Sequence, residues 1–367
     1  MKAMDPRETK LNILLFALPI TLYFNYVDQN HSMAFFSSLI AIMPLAFLMG
    51  RATEEIALRT TESLGGLLNA TFGNAAELII AVLLILEASR VADPETQSFF
   101  IHLVQASLIG SILGNLLLVM GLAFVWGGIH HSEQKYSETQ VSSNGSLLLL
   151  SMIVLVIPTV FHSSVGGEGG DSRLLDLSHI AAAILLLVYG LFLLFQFRTH
   201  VHLFATDGSH HEEPEMSQRD SIILLVVATV LVSWMAEILV HSVEYAAEDF
   251  GLPHLFIGVI LLPLFGNAAE HFTAVTVAGK DKMDLSFAIS MGSSTQIAVF
   301  IAPLMVIIAW ALGVPLTFEF GILETVSAFL AVLIVNSIAA DGKSNWLEGA
   351  MLLSSYGVLA AAFLFHP

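Results

Sequence analysis

The chain has 367 residues, 56% of them hydrophobic and only 12% charged, and a mean hydropathy of +0.80. A soluble domain of this length needs far more polar surface, so composition excludes one and points to an integral membrane protein. The formal charge of −18 argues against nucleic acid or acidic substrates and suits cation handling, although acids on loops also serve merely to solvate them; with no cysteine, any metal must be held by oxygen or imidazole.

A bilayer core of ~30 Å takes about 20 apolar residues as helix, and runs of that kind predict an all-α polytopic protein with eleven membrane helices. In chain order they fall near 11–28, 32–52, 63–86, 97–126, 145–162, 175–197, 220–243, 254–278, 283–312, 318–339 and 345–365. Met1 to Lys10 leads into the first run without a small-residue cleavage pattern, so that run reads as a retained helix rather than a signal peptide. Glu55 closes segment two, a candidate for lining a cation or proton route, though a solvated helix end explains it as well. Segment three holds Gly73, Asn74 and Glu77, and segment four holds Gly110, Ser111 and Gly114. A polar stretch between segments six and seven carries Asp207, Glu212, Glu213, Glu215 and Asp220 among His200, His202, His210 and His211; it reads first as a solvated linker and second as a cation concentrator or gate. Glu237 lies inside segment seven, where a solvated-end explanation is harder to sustain. Segment eight holds Gly266, Asn267, Glu270 and His271, and segment nine holds Ser293, Ser294 and Gln296.

Charge placement tests the count, because cytoplasmic loops collect Lys and Arg. With a cytoplasmic N-terminus, eleven of the thirteen basic residues fall on that side and only Arg90 and Arg173 on the other. Eleven spans also put the C-terminus opposite the N-terminus.

The six residues FGNAAE occur twice, at Phe72–Glu77 and Phe265–Glu270, 193 positions apart (270 − 77). Five spans separate the copies, and an odd number inverts the second. Gly110-Ser111 pairs with Gly292-Ser293 in the next segment of each copy. The expected organisation is therefore an N-terminal tail and extra helix over 1–31, a first five-helix repeat over 32–198, an acidic linker over 199–219 and an inverted five-helix repeat over 220–367. Such repeats are common in secondary transporters, with the site at their interface near mid-membrane.

A charged group at mid-membrane costs at least ~2.5–3.5 kcal/mol on insertion scales, so Glu77 and Glu270 read as an ion site rather than a structural buried pair. Gly73 and Gly266 lower helix stability and let the helix break or another backbone approach. Asn74 and Glu77 are i and i+3 and share a helix face, as do Asn267 and Glu270, so an antiparallel arrangement can join the faces into an oxygen cage. Six to eight oxygens in flexible geometry suit calcium better than magnesium. Ser111, Ser293 and Gln296 are placed to add ligands or water contacts, unless the serines bond back to their preceding turn; Gly110 and Gly114 serve equally as close-packing positions. Without metal, two like charges in a low-dielectric site take up protons, so one divalent ion and up to two protons compete for the same pair. His271 is placed to tune that chemistry or relay protons, with a packed, hydrogen-bonded histidine as the alternative.

Three stretches, LGGLLNATFGNAAELI at Leu64–Ile79, LPLFGNAAEHFTAV at Leu262–Val275 and MGSSTQIAVFIAP at Met291–Pro303, closely resemble the calcium/proton exchangers of the calcium/cation antiporter superfamily. The resemblance covers nearly the whole chain after segment one. It implies eleven helices in five-plus-five inverted halves, calcium (Ca2+) carried against protons (H+), and no enzymatic activity. By position it implies that Glu77 and Glu270 are the central acids, with Asn74, Asn267, Ser111, Ser293 and Gln296 around them. It also admits a homo-oligomer in the lipid bilayer, and in a bacterial host the plasma (inner) membrane. The long N-terminal regulatory region of some eukaryotic members is absent. On residues alone the counter-ion stays open between protons and sodium, other divalent cargo remains in play, and a passive channel and a metal-dependent intramembrane hydrolase are the remaining alternatives; no HExxH is present.

Overall fold

A computed structural model describes residues 10–60, 65, 68, 71–165, 170–201 and 214–366. Its helical segments are α1 (Leu11–Asp28), α2 (His31–Ala57), α3 (Ala75–Arg90), α4 (Pro94–His130), α5 (Glu138–Val165), α6 (Ser172–Thr199), α7 (Gln218–Phe250), α8 (His254–Gly266), α9 (Ala268–Ala278), α10 (Met283–Ala311), α11 (Ile322–Ile338) and α12 (Trp346–Leu364). Among the described residues nine helices are long and apolar enough to cross a membrane, or ten when α8 and α9, bent by 59° at their junction, count as one span. The eleventh expected span, segment three, is not among them: part of 63–86 lies outside the described residues, and α3 alone has 16 residues. The protein is a helical, multi-pass membrane protein.

Burial orders the bundle. In α4 83% of the most apolar window is buried, against 17% in α1 and α12, so α4 runs through the centre while α1 and α12 face lipid. Helices α2 and α7 pack along one another over most of their length, the most extensive pairing in the molecule. Both α4 and α10 carry a π-helical turn shortly after their Gly-Ser pair, at Gly114–Val119 and Ile297–Ile301; such bulges are rare and concentrate at functional sites.

Two short connections fix how the ends meet. Strands β1 (Gln134–Lys135) and β2 (Lys343–Ser344) pair antiparallel, and Gln134 Nε2 donates to the Ala278 carbonyl and to Asp281, each at 2.9 Å. The turns bearing Lys135, Lys280, Lys282 and Lys343 thus lie together at one end, as the sorting of basic residues requires. At the opposite end residues 314–320 are extended, not helical. Val314, Leu316, Phe318 and Phe320 alternate inward and are buried, while Gln105 Nε2 donates to the Thr317 and Glu319 carbonyls at 3.0 and 2.8 Å. The helix expected from 318 accordingly begins at Ile322. Side-chain anchoring from α4 outweighs the helical pattern there.

Candidate functional site

Both FGNAAE copies break the helix, one residue later than the glycines suggest. Asn74 (φ −97°, ψ 22°) and Asn267 (φ −87°, ψ 6°) leave helical geometry and become the N-caps of α3 and α9. Neither asparagine side chain caps its own helix. Glu77 and Glu270 then occupy the first turn of α3 and α9, where the positive end of the helix dipole steadies a carboxylate.

The two glutamates cross over. A Cβ placed on Gly73 would sit 3.0 Å from Glu270 Oε1, and one placed on Gly266 would sit 3.6 Å from Glu77 Oε1. Each acid therefore reaches the glycine of the opposite copy, and the glycines supply the absent side chains that permit it. Neither glycine has a left-handed φ, so close approach is their role and the break belongs to the asparagines. The carboxylates are near enough to repel one another. Both Glu77 oxygens, Glu270 Oε2 and the Oδ1 atoms of Asn74 and Asn267 are buried with no hydrogen-bond partner among the described residues. Orphaned buried oxygens on two acids that approach one another form an acceptor set that a cation or added protons would satisfy.

The two halves are equivalent in sequence but not in contact. Asn74 Nδ2 donates to Gln296 Oε1 at 2.8 Å, tying α10 to the first break and leaving Asn74 Oδ1 unpaired. Asn267 has no such partner on either side-chain atom among the described residues. Glu270 accepts from Ser293, whereas Glu77 faces a cavity of about 10 Å3 lined with Ser107, Ser111 and Ile297, about the room one water requires. Gly73 is exposed and Gly266 buried.

Glu77 and Ser111 share a cavity, Glu270 meets Ser293, Asn74 meets Gln296 and the two glutamates approach each other's glycine, whereas no side-chain hydrogen bond joins Asn267 to the others among the described residues. Gly110 is a packing glycine: a Cβ there would collide with the Val259 carbonyl and Pro263 of α8, while Gly114 faces open space. His271 is packed, 9% exposed, yet its Nε2 has no partner among the described residues, contrary to the expectation of a hydrogen-bonded packed histidine.

The two acids expected along an access route have unlike surroundings. The Glu55 carboxylate, 5% exposed, accepts the backbone N–H groups of Glu215 and Met216 at 3.1 and 3.2 Å and lies 3.3 Å from Arg59; Arg59 in turn donates to the Met216 carbonyl, and Arg51 pairs with Glu215 at 2.7 Å. This clamp fastens the end of the linker to α2 and engages the Glu55 carboxylate. Glu237 is exposed on α7, and no hydrogen bond or ion pair joins it to the acid pair among the described residues. Asp207, Glu212, Glu213, His202, His210 and His211 lie outside the described residues.

Sequence reasoning missed two residues. Ser107 lines the cavity at Glu77. Asn115 is fully buried, with both amide atoms unpartnered among the described residues, in the π-helical turn of α4. A lone amide inside ILGNLLLV, four positions after Ser111, was the available signal.

Comparison with known proteins places these features. The sodium/calcium exchanger protein family matches residues 31–198 and 220–365. The chain is 43% identical to the Ca(2+)/H(+) antiporter of Aphanothece halophytica over 96% of each protein and 38% identical to vacuolar cation/proton exchanger 3 of Oryza sativa, covering 98% of this chain and 86% of that one. Its structure matches that of native YfkE with a TM-score of 0.82 at 36% identity, covering 97% of this chain and 99% of that one. The H+/Ca2+ exchanger CAX shares the fold, with a TM-score of 0.72 at 14% identity, over 98% and 93% of the two chains.

Proposed function

The chain belongs to the sodium/calcium exchanger protein family, and from that premise we propose that it exchanges calcium for protons across its membrane, with Glu77 and Glu270 holding metal or protons in turn. The observation that carries this reading is the crossed approach of the two glutamates to the opposing glycines. One divalent ion neutralises both carboxylates; when it leaves, the repulsion between them is relieved by protons taken up at the same oxygens.

Calcium is the cargo the donor set suits. The carboxylates, the Oδ1 atoms of Asn74 and Asn267, and the hydroxyls of Ser111 and Ser293, with a water beside Glu77, supply hard oxygen donors within the six to eight that calcium takes. Gln296 acts through Asn74: by accepting from Nδ2 it fixes the amide and leaves Oδ1 free for a ligand. The relatives named as Ca(2+)/H(+) antiporters support the same ion pair.

Alternating access draws support from the unlike halves. Two copies that differ in exposure, at Gly73 against Gly266, and in contacts, at Asn74 against Asn267, occupy one of two interchangeable arrangements. Exchange of those arrangements, with α2 and α7 moving against α3, α8 and α9, would turn the site from one side to the other. With a cytoplasmic N-terminus, as the sorting of Lys and Arg favours, an inward proton gradient would drive calcium out of the cytoplasm.

Sodium is the competing counter-ion on chemistry alone. Calcium flux in proteoliposomes under an imposed pH gradient decides it: unchanged flux on removing sodium supports the proton, and flux that requires a sodium gradient overturns it.

A further inference from the structure

A second cavity of about 710 Å3, sharing no lining residue with the one at Glu77, opens between α5 and the first turns of α11, within the roughly 300–1,000 Å3 of sites that hold small amphiphiles. Its walls are apolar: Val156, Val160, Val326 and Phe329. All four lie within membrane-spanning helices, and Val160 and Val326 are about half exposed, so the cleft opens into lipid rather than water. One end is polar, where Thr159, His162, Glu319 and Thr325 line it.

That polar end is built. Thr325 is 6% exposed, and its Oγ1 has no hydrogen-bond partner among the described residues although it lines the cavity. Glu319 is one-third exposed and touches His162. Gln105 and Ser178 anchor the segment that carries Glu319, through the carbonyls of Thr317 and Glu319 and the N–H of Phe318. Beside it Glu324 closes the N-terminus of α11 by accepting from the Gly321 N–H at 2.7 Å. A helix N-terminus already holding a carboxylate offers nothing to a phosphate, and Glu319 repels one.

We infer that this cleft seats a membrane phospholipid whose headgroup carries a primary ammonium, with one acyl chain between α5 and α11 and the ammonium on Glu319 and Thr325. A primary ammonium brings three donors, enough for the carboxylate and the orphaned hydroxyl together. A choline headgroup has no N–H to give, and a glycerol headgroup leaves a net negative charge beside Glu319. The inference is independent of the transported ions.

The test uses the full-length protein, delipidated in detergent and titrated with phosphatidylethanolamine, phosphatidylcholine or phosphatidylglycerol, bound lipid being counted by native mass spectrometry. One phosphatidylethanolamine per chain should bind about tenfold more tightly than the other two, ~1.4 kcal/mol. Val326→Trp fills the cleft and should weaken that binding by about as much, while Glu319→Gln keeps the shape and should erase the preference for ethanolamine over choline. Undiminished binding in Val326→Trp would mark the lipid as merely annular. Preference for phosphatidylglycerol, or ethanolamine selectivity surviving in Glu319→Gln, overturns the headgroup assignment even if the Trp variant does not fold. Disulfide capture of Val326→Cys between two chains would assign the face to a second copy instead.

Discussion

Replacing Glu77 by Gln keeps the side chain's shape and removes one of two neighbouring charges, the one whose two oxygens are both buried without partners among the described residues. Removing one member of a buried, mutually dependent charge set costs ~3–5 kcal/mol, which here falls on the cation-bound state and predicts a calcium affinity lowered roughly 100- to 4,000-fold. The pH dependence separates this from a folding defect. If calcium displaces two protons, log Kd should rise by about two for each unit of pH lost once both acids are protonated in the free protein; with one acid left, it should rise by about one. The sign is the same in both: acid weakens calcium binding, because protons take the oxygens the metal needs. Calorimetric titration of monodisperse protein across pH reads affinity and slope together. An unchanged slope in Glu77→Gln, or affinity within about twofold of the parent, would refute the shared-site argument.

Three further outcomes follow from the same geometry. Gly73→Ala brings a methyl to 3.0 Å from Glu270 Oε1, whereas Gly266→Ala leaves 3.6 Å to Glu77 Oε1; overpacking of ~1–3 kcal/mol should therefore weaken calcium binding in the first and spare the second, as measured by the same titration. Gly110→Ala collides with the Val259 carbonyl while Gly114→Ala meets open space, so thermal unfolding should show a loss of about 1–3 kcal/mol for the former and within about 0.5 kcal/mol for the latter. Glu55→Ala takes the acceptor from the Glu215 and Met216 amides; limited proteolysis should cut the linker faster while calcium exchange persists, and exchange lost without faster cutting would put Glu55 on the ion route.

What could be read from sequence was whatever repeats or follows a period. The doubled FGNAAE, its 193-residue spacing and the apolar runs gave the acids, the glycines and most helices, because each carboxylate at membrane depth stands out against its apolar surroundings. What escaped depends on contacts between distant segments. Glu55 at a helix end and Glu237 inside segment seven both read as candidate route acids, but among the described residues it is Glu55 that meets two linker amides and Arg59. The inequality of Asn74 and Asn267 cannot be seen in identical hexapeptides, since it rests on Gln296 approaching one of them. Residues 318–320 were expected to open a helix and are held extended, with 314–317, by Gln105 and Ser178. Asn115 was passed over because it has no counterpart in the second copy, where Ile297 stands four positions after Ser293.

The central claim is that one buried pair of acids trades a metal ion for protons. Recording calcium and proton movement simultaneously in proteoliposomes of the parent protein and of Glu270→Gln tests it most directly. The account predicts opposed fluxes in fixed ratio in the parent and neither flux in the variant; calcium crossing without counter-moving protons, or coupled exchange surviving in Glu270→Gln, would contradict it.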